Sequence, residues 1–200
     1  MNATELKGVK QVRTLKADEI EVRIGQVGFN KKTNQGYATL LLYKNARTDM
    51  QVLDETFGAM NWQKDYKEIK GNLYCGVGIY DEAKKEWVWK WDCGTESNTE
   101  KEKGEASDAF KRACVNVSDG KGGGIGRELY TAPMIYIEVA VIPDQYNNGK
   151  YKLANPAELR GMYVSHITYT KDRKIKDLDI AIKSTIIWST DKRKKGTKHE

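Results

Sequence analysis

The chain has 200 residues, with 34 Lys and Arg against 28 Asp and Glu, a net charge of +6 and a sequence pI near 9.0. That length is ample for a real hydrophobic core. The 31% charged content is ordinary for a globular chain, and no apolar run reaches the ~20 residues of a spanning helix. The start, Met1-Asn2-Ala3-Thr4-Glu5, lacks the basic-then-apolar pattern of a signal peptide, so a cytoplasmic location is expected.

In chain order, Ile20, Val22 and Ile24 alternate with Glu21 and Arg23, the pattern of a half-buried strand. Residues 30–36 are turn-rich and 37–43 read as the returning strand. Ala46, Met50, Leu53 and Phe57 recur at helical spacing, and Gly58 ends that helix. Residues 61–94 read as a three-stranded meander. In its middle strand Leu73, Cys75, Val77 and Ile79 share one face, and Tyr74, Gly76, Gly78 and Tyr80 share the other. Trp87, Trp89 and Trp91 line one face of its third strand.

The strongest helix signal follows. Thr99 with Glu102 makes a capping box. Ala106, Ala109, Phe110, Ala113, Cys114 and Val117 form one apolar stripe, with Lys111 nearly opposite it and Arg112 on its flank. Residues 118–126 are dense in glycine. Residues 134–142 read as a strand, and 163–169 with 175–182 as a hairpin. The expected class is α+β: an antiparallel β-β-β-α core with a flanking helix and strands. Residues 1–190 read as one domain, and 191–200 as a basic, mobile tail.

The basic excess is uneven. Residues 1–44 carry +4 and the last ten +3, whereas 45–130 carry −3. Net charge alone therefore does not place a binding site. The three cysteines, Cys75, Cys93 and Cys114, form no metal-ligand pattern and read as small apolar fillers. The glycine-rich segment matches neither GxxxxGK[ST] nor GxGxxG, so no nucleotide cofactor is expected. His166 and His199 are the only histidines, too few for a hydrolytic or zinc site. Asp65 with Glu82 and Lys84 has the look of a D…ExK metal site, and a Mg²⁺-dependent nuclease is kept as an alternative. Lys111, Arg112, Arg127 and Arg47, together with Trp62, Tyr66, Tyr74 and Tyr80 on or near the meander, supply the cations and flat rings that single-strand binders use. Trp87, Trp89 and Trp91 read instead as core or subunit-interface residues.

The run Gly94-Thr95-Glu96-Ser97, then Glu100-Lys101-Glu102-Lys103-Gly104-Glu105-Ala106-Ser107-Asp108-Ala109-Phe110-Lys111-Arg112-Ala113-Cys114, is distinctive. With Phe57-Gly58 and Asn61-Trp62 before it and Gly124-Ile125-Gly126-Arg127-Glu128-Leu129-Tyr130 after it, the chain resembles the Rad-fifty-two superfamily of single-strand annealing proteins, over about residues 35–135. The resemblance is nearest to the phage and prophage branch. It implies an ATP-independent protein that forms homo-oligomeric rings or helices, binds single-stranded DNA in a positive groove and pairs it with a complementary strand during recombination and repair. A host single-strand-binding protein is a further implied partner. The implied groove cations are Lys111 and Arg112, with Arg47 before the Phe-Gly helix, and a secondary DNA surface falls at Lys84 and Lys85. A further family arginine falls on Val115, so that contact is either missing here or supplied from elsewhere, with Arg127 the candidate. Residues 117–123 stand where phage relatives pass almost directly into Gly-Ile-Gly-Arg. A passive module that protects single strands without pairing them is the remaining alternative.

Overall fold

A computed structural model describes residues 10–95, 101–120 and 122–198, with the backbone alone for 101–103. The Thr99–Glu102 capping box lies outside the described residues. The architecture is α+β, with antiparallel sheets and two α-helices. No helix among the described residues is long and apolar enough to cross a membrane.

The chain divides into two compact units where the sequence pattern suggested one domain. The first combines the chain up to Leu15 with Lys44–Glu128, and the second combines Lys16–Tyr43 with the chain from Leu129 onward. This partition depends on strand pairings between distant segments, which no local pattern announces.

In the first unit, helix α1 (Ala46–Phe57) begins at Asn45, whose side chain accepts the N–H groups of Arg47 and Thr48 at 2.9 and 3.0 Å. These bonds satisfy two of the donors that a helix start leaves open. The helix ends at Gly58, whose φ of 90° is readily reached only without a Cβ. Strands β3 (Trp62–Ile69), β4 (Asn72–Asp81) and β5 (Glu86–Cys93) form the expected meander in the order β3-β4-β5. Helix α2 (Lys101–Val115) packs on β4 and β5 through Ala109, Phe110, Ala113 and Cys114, all at most 1% exposed. Cys75 and Val77 meet it from the sheet, both fully buried. The two alternating patterns, period 2 in the strand and 3.6 in the helix, thus supply the two sides of one core.

In the second unit, β1 (Glu21–Asn30), β2 (Gln35–Tyr43), β6 (Ile135–Glu138), β9 (Met162–Tyr169), β10 (Ile175–Ile182) and β11 (Thr185–Ser189) form a six-stranded antiparallel sheet in the order β11-β10-β9-β1-β2-β6. Its end strands β11 and β6 approach each other, so the sheet curls around Leu40, Ile135, Val164 and Ile180. The stretch 134–142 is not one strand. It breaks after Glu138, where Val139 N–H bonds to Gly36, and resumes as β7 (Val141–Pro143), paired with β8 (Tyr151–Leu153). The basic end is also structured: Lys192–Lys194 form a 3-10 turn capped by Asp191, and Lys198 bridges to Thr185.

Candidate nucleic-acid interface

All the residues singled out for DNA contact lie in the first unit. Register fixes which of them share a surface. Trp62, Lys64 and Tyr66 on β3 stand opposite Ile79, Val77 and Cys75 on β4, and Val88, Lys90 and Asp92 on β5 stand opposite Ile79, Val77 and Cys75. This is the face that α2 covers. Tyr74, Gly76, Gly78 and Tyr80, with Trp87, Trp89 and Trp91, lie on the other face.

Lys111 and Arg112 are adjacent in sequence but have different surroundings. Arg112 is exposed, and its Nε donates to Asp92 at 3.2 Å, a carboxylate that also accepts from Asn116 at 3.1 Å. Lys111 is half-buried and makes no ion pair among the described residues. Its carbonyl accepts from Lys44 Nζ at 3.1 Å. Lys44 is itself buried and ion-paired with Asp49, which is 0% exposed. Burial pushes the Asp49 carboxyl up to about 6, against the pull of Lys44 and Lys111. A buried lysine thus ties the first turn of α1 to α2 beside Lys111, and Arg47 stands exposed on that same turn. Lys64 adds a further cation, its ammonium 4.9 Å from the Phe110 ring centroid.

The other expected contacts have structural duties. Arg127 is half-buried and donates to the Val115 carbonyl at 2.8 Å, closing the last turn of α2. Trp62 is half-buried, donates to Asp54 at 2.6 Å and stacks on Phe110 with centroids 6.2 Å apart. It therefore joins β3 to both helices. Lys84 and Lys85 sit in the exposed β4–β5 turn, with Lys84 near Asp81 and Glu86 at 3.7 and 3.9 Å. Tyr74 lies on the sheet face away from α2. The structure therefore places Lys111 and Arg47 on the two helix segments that Lys44 joins, and Lys64 against Phe110 of α2. It places Arg112 beside β5, Tyr74 across the sheet and Lys84 and Lys85 at its end.

The face away from α2 is an aromatic surface. Trp89 and Trp91 stack with centroids 5.6 Å apart and lie over Gly78 and Gly76. A Cβ at Gly76 would stand 2.6 Å from the Trp91 ring, so the glycine is what lets the indole lie flat. Lys67 covers Trp91 at 4.4 Å, and Tyr80 meets Trp87 edge-on at 5.4 Å.

The glycine-rich segment folds on itself. Ser118 bridges to Gly124, and buried Asp119 accepts the Gly123 N–H at 2.9 Å. Gly126, at φ 71°, leaves room for the Lys44 stem, which an added Cβ would overlap. Buried Glu128 accepts the Leu15 N–H at 2.6 Å. The Gly-Ile-Gly-Arg-Glu run thus makes room for the Lys44 stem and bonds to Val115 and Leu15.

The nuclease constellation does not assemble. Asp65 pairs with Gly76 in mid-strand, whereas Glu82 lies in the turn beyond Asp81. Five residues of strand separate Gly76 from Asp81, about 17 Å, too far for one Mg²⁺ to bridge the two carboxylates. Among the described residues no three His, Cys, Asp or Glu side chains cluster as metal ligands. Burial raises the Cys75 thiol to about 11 and the Cys114 thiol well above its ordinary value, which suits packing rather than nucleophilic chemistry.

Lys44, Lys64 and Asp92 were missed by sequence reasoning. Lys64 carried a usable signal, since it alternates with Trp62 and Tyr66 and so shares their face. Lys44 and Asp92 carried none, because their partners depend on packing and register. No family model, curated protein or solved structure matches the chain.

Proposed function

We propose that the protein is an ATP-independent single-stranded DNA-binding and strand-annealing protein that acts as a homo-oligomer in recombination and repair. The observation that carries the reading is the setting of Lys111. Its ammonium makes no ion pair among the described residues, interacting only at longer range with the buried Asp49 that Lys44 holds, and that buried pair keeps its helix against the turn that bears Arg47. A cation fixed in this way can take a phosphate without first giving up a carboxylate. Arg112 contributes less, because Asp92 competes for it. Contacts of this kind grip the backbone and leave base edges open, which pairing with a second strand requires. Duplex formation supplies the driving free energy, so no nucleotide hydrolysis is needed. The aromatic face of the meander gives identical copies a surface to share, and an oligomer multiplies individually weak grips.

The test is to mix labelled complementary oligonucleotides with the protein, with and without Mg²⁺ and without ATP. Faster duplex formation with intact strands is expected. Slowed pairing would make the protein a passive protector instead, and shortened strands in Mg²⁺ would make it a nuclease.

A further inference from the structure

The densest run of positive charge in the chain, Lys192-Arg193-Lys194-Lys195, is divided by its carboxylate partners. Asp191 accepts the Arg193 backbone N–H at 3.1 Å and takes its guanidinium through both oxygens, at 2.9 and 2.8 Å. These hydrogen bonds hold the Asp191 carboxyl down at about 2. Lys194 reaches Asp179 at 3.0 Å, a carboxylate 3% exposed that also accepts from the Ser189 hydroxyl. Arg193 therefore braces the turn itself, and Lys194 ties the run to Asp179 on β10.

Lys192 and Lys195 are different. Both are exposed and make no ion pair among the described residues. Both line an open cavity of about 680 Å³ within the second unit, together with Trp188 from β11 and Met134, Tyr136 and Glu138 beside or on β6. Tyr136 is 49% exposed and Met134 70%. The cavity is the seam where the two end strands of the curled sheet approach without pairing. It combines two ammonium groups with two aromatic rings, offset by the single carboxylate of Glu138. Flat rings beside paired cations fit a nucleotide unit, with the base against a ring and the phosphate on an ammonium. An acidic peptide would use the cations and leave the rings without a role.

We propose that this seam is a second contact site for single-stranded nucleic acid, with Lys192 and Lys195 on phosphates and Trp188 and Tyr136 against bases. The proposal rests on the reading of the chain as a single-strand binder, but it concerns a different surface from Lys111. The test uses the full chain and an oligothymidylate carrying 5-iodo-deoxyuridine. Photo-crosslinking followed by peptide mapping should place adducts on Trp188 or Tyr136 in the unaltered protein. The K192Q/K195Q variant should bind the same oligonucleotide about 3- to 10-fold more weakly. Its log–log salt slope should fall by about 1.4, since each phosphate neutralised on a single strand adds roughly 0.7 to the slope. Binding with adducts confined to residues 44–128 and unchanged in K192Q/K195Q would overturn the seam site and leave the proposed function standing. Absence of any single-strand binding by the unaltered protein would overturn both. Protection of Trp188 by an acidic peptide but not by the oligonucleotide would replace nucleic acid with a protein partner.

Discussion

The two cationic regions, around Lys111 in the first unit and around Lys192–Lys195 in the second, are organised alike but held differently. In each, carboxylates take up some cations and leave others. Among the described residues, Asp92 holds Arg112 while Lys111 makes no ion pair, and Asp191 and Asp179 hold Arg193 and Lys194 while Lys192 and Lys195 make none. The frame around Lys111 is a buried ion pair between Lys44 and Asp49, whereas the C-terminal run is held by Lys194 on buried Asp179 and by the Asp191 N–H on the buried Ser189 hydroxyl. Net charge therefore counts braces and grips together, and only the geometry separates them. The acidic balance of residues 45–130 has the same explanation. Asp49, Asp54, Asp92, Glu105, Asp108, Asp119 and Glu128 are all engaged in internal bonds.

The comparison breaks most visibly at Lys44. K44M leaves Asp49 buried without its cation and should cost about 3–5 kcal/mol at pH 7. Urea unfolding measures this, and K44M/D49L should recover most of the loss. A mild K44M would mean that the first region is not framed by this pair. K194M strips one ligand from Asp179, which keeps its Ser189 bond, and Lys194 itself is half-exposed. Its cost should be smaller.

Asp49 also gives the first region a pH signature. The folded carboxyl titrates near 6 and the ordinary value is 3.8. Between those values the folded chain keeps a proton that the unfolded chain has lost, so protonation favours the fold. This group's contribution to stability is fully present below about 4 and is lost as pH rises through about 6. The change is roughly 3 kcal/mol at 1.36 kcal/mol per pKa unit. D49N should remove that slope from the pH dependence of the unfolding midpoint. A slope identical in D49N and the unaltered protein would assign it to other groups. A smaller effect concerns the cysteines: Cys75 and Cys114 should resist alkylation at pH 8 in the folded state, while half-buried Cys93 reacts first, as mass spectrometry of labelled peptides would show.

Much of the first unit was legible in the sequence because its elements are amphipathic. The alternation in 73–80 and the stripe from Ala106 to Val117 set which residues face each other, and Gly58 marked a real helix end. The second unit was less legible. Strand β8 has only three residues and β11 only five, too short for alternation to stand out. The break in 134–142 depends on a bond from Val139 to Gly36, about a hundred positions away. Within the candidate site, the residue types at Lys111, Arg112 and Arg47 were legible. Their inequality was not, because Asp92 reaches Arg112 only through strand register and helix packing. The C-terminal run read as a mobile tail because its four adjacent cations gave no hint of Asp179 on β10.

Single-strand binding measured across a salt series for K111A and R112A, beside the unaltered protein, tests the central claim most directly. Lys111 as the principal grip predicts about a tenfold loss for K111A with a log–log slope lowered by about 0.7. It also predicts a smaller loss for R112A, because Arg112 is already engaged by Asp92. Equal and negligible effects of the two substitutions, in variants that remain folded, would contradict it.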